Sequence, residues 1–381
     1  MMMHSINRLG RRLAVATAGA GVALAGAAGA QDLPDTMTWT SYDVGSAGYA
    51  EASAMADALG REYGTRIRIQ PSGSSIGRLQ PVVQQRAQYG FLATETWFAT
   101  EGVEDFAARQ WGPQDLRVLA GRPAAFGMPT AADAGIDEIA DVEGKRVAFV
   151  AGNPSVNVKC EAILSFAGLT KDDVEVREFP TYGGAMSSLA AGDADATCTT
   201  TTPSQLYELA ESPRGIHWVE LPSDNEQGWE RLREVAPFFA PYEETKGAGI
   251  SEDNPVQIMA YRYPMIVARA DTSADEVYSL VKALDETYDM YKDATAVMSQ
   301  WDLDESGVPP ADAPFHEGAI RYLREQGIWT EEHDEWNETR LERLRALQDA
   351  WQTTMDEAAG KSEDEFNALW EEHRQRALDS L

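Results

Sequence analysis

GKRVAFVAGNPSVNVKCEAILSFAGL, residues 144–169, decides how this chain is read. Arg146–Val150 is an apolar run of strand length, residues 152–157 are a short polar loop, and Ala162, Ile163, Phe166 and Leu169 then share one face of a helix. A strand that delivers a Gly/Asn/Pro/Ser loop to a helix start makes a place for a small anion. The first helical N–H groups lack partners within the helix, and the helix dipole favours negative charge there. The loop holds no nucleophile beside a base. It reads as one wall of a binding cleft whose other wall lies elsewhere in the chain.

Upstream the same device recurs. Residues 36–42 alternate as a strand, 43–49 form a glycine-containing turn, and a helix follows with Ala52, Met55, Ala56, Leu59 and Tyr63 on one face. Residues 65–70 are a second strand, 71–75 (PSGSS) a second polar loop, and a helix opens near Ile76. Residues 89–93 are a third strand, followed by Thr94, Glu95, Thr96 and Trp97. In open α/β sheets such loops gather at the carboxyl edge of the strands, where ligands bind. Each turn alone is better explained as an ordinary β–α turn with a Ser capping its own helix. Their repetition points to a site.

Downstream, residues 116–128 form a long strand crossing between two lobes, and 255–268 form the return crossing. Between them lie strands at 174–179, 196–199 and 216–221, a helix opened by Tyr182-Gly183-Gly184, and the run Thr199-Thr200-Thr201-Thr202-Pro203. Asp193 and Asp195 read as turn residues at a strand entry rather than a catalytic pair. Strands alternating with helices predict an α/β fold with largely parallel sheets. Residues 331–381 differ. Leu341, Leu344, Leu347, Trp351 and Met355, then Phe366, Leu369, Trp370 and Ala377, predict one or two amphipathic helices packed as a cap.

Residues 1–30 carry Arg8, Arg11 and Arg12, an Ala/Gly/Val/Leu run and Ala28-Gly29-Ala30, the pattern of a cleaved secretory leader. Arg11-Arg12 is a weak match to a twin-arginine signal, so ordinary secretion is expected. With no cysteine near the cleavage point to carry a lipid, the expected address is a Gram-negative periplasm. The 381-residue chain has a net charge of −30. Removing a leader with three Arg and no acid leaves 29 basic against 62 acidic residues, a net −33. Such a surface repels nucleic acid and anionic lipid. The two cysteines, Cys160 and Cys198, are either paired, as an oxidising compartment allows, or two separate buried thiols. Neither has metal-ligand spacing.

Several segments resemble the TAXI family, the solute receptors of one class of TRAP transporters. Residues 141–174 are similar to its strand, Gly/Ser loop and helix ending in Gly-Leu, and 71–82 (PSGSSIGRLQPV) to its Gly-Gly-Ser loop. Residues 189–210, 274–284 and 313–329 (APFHEGAIRYLREQGIW) are similar to later signatures. The resemblance spans about residues 36–329 and departs from the family at Ser46-Ala47-Gly48-Tyr49, Gly73-Ser74-Ser75, Glu95 and Asn153-Pro154-Ser155. It implies a two-lobe periplasmic receptor, no catalysis, no cofactor, no bound metal, and a TRAP membrane subunit as partner. His316 then serves only to seat a helix start.

The expected division is lobe I at residues 31–120 and 260–330, lobe II at 121–259, and a helical extension at 331–381 on lobe I. The expected contacts to a small organic anion or amino acid are Ser46, Tyr49, Ser74, Ser75, Glu95 and Trp97 on one side. Asn153, Ser155, Asn157, Tyr182, Thr200 and Thr201 face them on the other. Trp97 and Tyr182 are expected to cover an apolar part. Glu95 suits an ammonium group, which favours a glutamate-like amino acid over a C4–C5 dicarboxylate or keto acid. The receptor is expected to be a monomer. The alternatives are a receptor for an ABC transporter or a sensor kinase, a periplasmic enzyme using Glu95 or Asp193 and Asp195 as acid and base, and a scaffold whose C-terminal helices bind another protein.

Overall fold

The computed structural model describes residues 33–236 and 238–381; the predicted leader lies outside the described residues. Three strand–loop–helix units open the chain: β1 (Thr36–Ser41) and α1 (Ala47–Tyr63), β2 (Arg66–Pro71) and α2 (Ser75–Val83), β3 (Tyr89–Leu92) and α3 (Glu95–Glu101). Met37 and Trp39, two apart on β1, point into the core formed with α1, as strand alternation requires. β1 pairs in parallel with both β2 and β3.

Long strand β4 (Leu116–Ala131) follows. Next come β5 (Arg146–Val150), α4 (Pro154–Phe166), β6 (Glu175–Phe179), α5 (Tyr182–Ala191), β7 (Thr199–Thr200), α6 (Ser204–Glu211), β8 (Ile216–Val219), α7 (Glu226–Val235), β9 (Ala240–Glu244) and the second long strand β10 (Val256–Arg269). β4 and β10 run antiparallel from Leu116 opposite Arg269 to Phe126 opposite Met259. At roughly 3.3 Å per residue such strands reach from one core into another. Val118, Ala120, Ile266 and Val267 belong to one hydrophobic cluster, and Phe126, Met128, Ile258 and Met259 to a second.

The sheet order is β2-β1-β3-β10-β4-β7, with β8 on β4 and β9 on β10, and β5 pairs in parallel with β6. Ala196 ties that pair to the larger sheet, bridging in parallel to Val147 and antiparallel to Thr130. The sheets are thus mixed rather than largely parallel. Parallel ladders lie at β1–β2, β1–β3 and β5–β6, and every named ladder of the crossing strands is antiparallel. The reason is that the outward and return crossings run in opposite directions through the same layer.

Cys160 on α4 and Cys198, just before β7, are joined by a disulfide with a Cα–Cα distance of 5.4 Å. The chain ends in α8 (Ala274–Glu286), α9 (Glu317–Glu325), α10 (Glu331–Glu357) and α11 (Glu363–Leu378). His316 caps α9, its Nδ1 accepting the Gly318 N–H at 3.1 Å. Helices α10 and α11 enclose a small core of Leu347, Ala358, Phe366 and Trp370. They dock on the segment after α3. Trp370 Nε1 donates to the Gly102 carbonyl at 2.7 Å, and the buried Glu101 carboxylate accepts from Arg343 at 2.7 Å and Arg374 at 3.1 Å. Trp351 lies so close to Gly112 that a Cβ there would sit 2.3 Å from its ring, and Gly112 also has φ +70. Only glycine meets both demands.

Candidate functional site

The loops that follow β1 and β2 meet those that follow β5 and β7: the Ser75 N–H donates to the Gly152 carbonyl at 3.2 Å and Ser204 Oγ to the Gly45 carbonyl at 3.4 Å. Ser46 and Ser74 sit where the sequence placed them, at helix starts, and both hydroxyls cap their own helices. Ser46 Oγ accepts from the Tyr49 N–H at 3.2 Å and Ser74 Oγ from the Gly77 N–H at 3.1 Å. Asn157 is spent in the same way. Its side-chain amide accepts from the Val150 N–H at 3.0 Å and donates to the Val150 carbonyl at 2.8 Å, fixing the turn after β5.

Four expected residues come together in one junction. Asn153 Nδ2 donates to the Gly73 carbonyl at 2.8 Å, and Ser75 Oγ to Asn153 Oδ1 at 3.3 Å. Ser155 Oγ donates to Glu95 Oε2 at 2.5 Å. The other Glu95 oxygen accepts from Arg78 Nε at 2.7 Å, and both side chains are fully buried. This overturns the expectation that Glu95 holds a ligand ammonium: its carboxylate is already taken by Arg78 and Ser155. Burial works against both charges. Their mutual attraction outweighs it, so the Glu95 carboxyl lies below its ordinary range and the Arg78 guanidinium above its own. Arg78 also lies 3.5 Å over the Tyr42 ring.

Tyr42 is the centre of an aromatic cluster. Its ring is 5.6 Å from Tyr182 and 5.4 Å from Tyr263, and Tyr263 stacks at 5.8 Å on Tyr261. Tyr182 Oη and Thr199 Oγ1 are 2.5 Å apart. Burial pushes the Tyr182 phenol up to about 12 and those of Tyr42, Tyr261 and Tyr263 well above their usual value, so all four stay neutral. Gly48 makes room for Tyr263, since a Cβ there would be 2.8 Å from its Oη and 3.8 Å from Ser41 Oγ. The buried hydroxyls of Ser41 and Tyr263, which both face Gly48 at this cluster, have no hydrogen-bond partner among the described residues, and neither have those of Thr94 and Thr96, where β3 leads into α3. Thr200, which ends β7, and Thr201 after it are buried, and the Thr201 carbonyl accepts the Ala248 N–H at 2.9 Å. Tyr49 stays half-exposed on α1.

Trp97 lies apart from Tyr182, so the two do not jointly cover one ligand face. Trp97 is 5.8 Å from Phe238 and 4.5 Å beneath the Arg340 guanidinium of α10. It lines a cavity of about 470 Å³ together with Tyr261, Asp312 and Trp336.

Sequence reading missed the charges that organise this region: Arg78, Glu51, Arg122, Lys159 and Asp312. Arg122 and Glu51 form a buried pair at 2.6 Å, with Trp301 Nε1 donating to the same carboxylate at 2.7 Å. Lys159 is 1% exposed, with Nζ 3.5 Å over Tyr261 and 5.1 Å from Phe126. Burial depresses its pKa well below the usual lysine value. One signal was available. Lys159 stands on the Val156, Cys160, Ile163 stripe of α4, and Arg78 shares a face with Val82 on α2, so each is a cation on a side that should be apolar. Asp195, named in the enzyme alternative, is occupied as well. Asp195 accepts from Arg146 at 2.6 Å and lies 3.4 Å from Arg214.

A sequence profile of the NMT1-like family matches residues 41–327. Among solved structures, a protein from Bordetella bronchiseptica RB50 is 16% identical, over 79% of this chain and 91% of that one, with a TM-score of 0.45. An ancestral arginine-binding protein bound to arginine is 12% identical, over 71% of this chain and 99% of that one, with a TM-score of 0.43. The alkanesulfonate-binding protein SsuA from Xanthomonas axonopodis pv. citri, bound to MOPS, is 13% identical over 79% and 96%, with a TM-score of 0.42.

Proposed function

The chain belongs to the NMT1-like family, and from that premise we propose that it is a periplasmic solute-binding receptor that captures a small molecule between its two cores and hands it to a membrane transporter. One observation carries the reading: the unpartnered hydroxyls of Ser41 and Tyr263, buried together at the Tyr42 cluster beside the junction of loops from both cores. A buried hydroxyl without a partner costs about 1–3 kcal/mol, and two in one place are what a polar solute would satisfy. The lobes are residues 33–120 with 264–330, and 121–263, each built around one of the two cores and joined by the β4–β10 ribbon. Closing them brings Asn153 and Ser155 onto Gly73 and Glu95 and shuts the solute away from water.

The reading is of binding rather than catalysis, because Glu95 and Asp195 are each held as ion-pair partners. No described helix is long and apolar enough to cross a membrane, and the leader pattern of residues 1–30 accounts for export. For the delivery partner two readings stand. Segments such as 313–329 resemble TAXI receptors and favour a TRAP-type permease. The other is an ABC permease.

The test is a thermal-shift screen of the full chain against amino acids, keto acids, dicarboxylates and sulfonates. A true solute at a hundred times its Kd adds about 2.7 kcal/mol and raises the melting point. If no compound raises it, or a compound is turned over rather than held, the receptor reading fails. Uptake measured with each class of permease then separates the two partners.

A further inference from the structure

We propose that the C-terminal helix α10, which lies beyond the matched family region, supplies one wall of the solute site, and that the cavity it completes takes a flat aromatic monocarboxylate. The cavity of about 470 Å³ is lined by Trp97 from the first core, Tyr261 and Phe238 from the second, and Trp336 and Arg340 from α10, with Asp312 in its wall. It thus joins both cores to a helix that the family match, ending at residue 327, does not include. Tyr261 stacks at 5.8 Å on Tyr263, so the cavity adjoins the Tyr42 cluster as a second compartment of the same site; the inference rests on the receptor reading and deepens it.

The walls decide the body of the ligand. Four aromatic rings and the small side chains of Ala240, Ala260 and Ala311 leave room for a planar apolar group and offer it edges and faces to pack on. The charges decide its polar end. Arg340 Nη2 donates to the Asp312 carbonyl at 3.1 Å, which anchors the side chain, while its buried Nε–H has no partner among the described residues. Arg262 also lines the cavity. Against these cations stands one carboxyl, Asp312, which is 4% exposed and whose Oδ2 is likewise unpartnered. Burial raises the Asp312 carboxyl to about 7, with Lys159 and Arg340 pulling the other way, so near neutral pH it can donate a hydrogen bond as readily as accept one. Glu101 is shared by Arg343, Arg374 and, at 3.7 Å, Arg340 Nη1, and Glu95 is held by Arg78. The local balance is cationic in a chain whose net charge is −30. That is the arrangement a buried carboxylate needs, and a bare ammonium would be repelled.

The experiment titrates the full chain with benzoate, benzylamine, L-glutamate and succinate, read by calorimetry and by tryptophan fluorescence, since Trp97 and Trp336 border the cavity. Benzoate is expected to bind and benzylamine not. Arg340→Met is expected to weaken benzoate at least tenfold, the loss of a charge-assisted hydrogen bond, and Trp336→Ala to weaken it and remove most of the fluorescence change. Arg340→Lys and Trp336→Phe, which keep charge and ring, should fall between and show that the fold is intact. If benzoate binds equally to all four variants, or benzylamine binds better, the inference is overturned. If glutamate or succinate binds and Arg340→Met and Trp336→Ala leave that affinity unchanged, the receptor reading stands and this one falls.

Discussion

Lys159→Met should make the protein more stable. The lysine is 1% exposed, and no carboxylate lies within ion-pair distance of its Nζ among the described residues. What it gains is the face of Tyr261 at 3.5 Å and, more weakly, Phe126 at 5.1 Å. A desolvated cation–π contact contributes about 2 kcal/mol, whereas taking an ammonium out of water costs several. Exchanging buried charge for an apolar side chain of similar volume is typically worth ~1–4 kcal/mol, which means a melting point higher by several degrees. The pH dependence is the sharper test. A depressed pKa means that the unfolded chain binds a proton that the folded chain does not, from the folded value up to about 10.4. Across that window the lysine's penalty shrinks by about 1.4 kcal/mol per pH unit as pH rises, and above it the penalty is gone. The groups facing Lys159 are Tyr261 and Phe126 from the crossing strands, Asp312, Glu95 and Arg78. Asp312 titrates near 7 and would add its own slope. The comparison is therefore made in an Asp312→Asn background by urea unfolding at pH 7, 8, 9 and 10. The expected result is a stability gap that favours the Lys159→Met variant at pH 7 and narrows as pH rises. A gap that is absent, or constant from pH 7 to 10, would refute the argument that burial governs this lysine.

Two further outcomes follow from the same contacts. Arg78→Met strands the fully buried Glu95 carboxylate and removes the cation over Tyr42, so denaturant unfolding should show a loss of about 3–5 kcal/mol; Arg78→Met with Glu95→Gln should recover much of it, and no recovery would mean that the charge is not the cause. Cys198→Ala opens a disulfide spanning 38 residues, for which the chain-entropy relation gives about 4 kcal/mol; an unchanged calorimetric melting point would show that the bond does not constrain the unfolded chain.

Local order was legible because it depends on neighbours in sequence. The apolar run Arg146–Val150 and its polar loop predict a strand and a helix start, and both are there, with Pro154 in the first turn of α4. The two crossing strands, with expected bounds of 116–128 and 255–268, appear as Leu116–Ala131 and Val256–Arg269. The amphipathic C-terminal pattern gives Glu331–Glu357 and Glu363–Leu378. The site was less legible, for a specific reason. A serine before a helix looks the same whether its hydroxyl caps that helix, as at Ser46 and Ser74, or reaches across to another loop, as Ser155 reaches Glu95.

The periodicity of side chains along the chain therefore determined the elements, their order and the two long crossings. Tertiary structure alone decided which charges meet. Glu95 finds Arg78 17 residues away and Ser155 60 away, and Arg122 finds Glu51 71 away. It also decided that Trp97 faces Arg340 of a distant helix rather than Tyr182. Such pairings follow from how packed layers bring remote segments together, and no window of sequence records that distance.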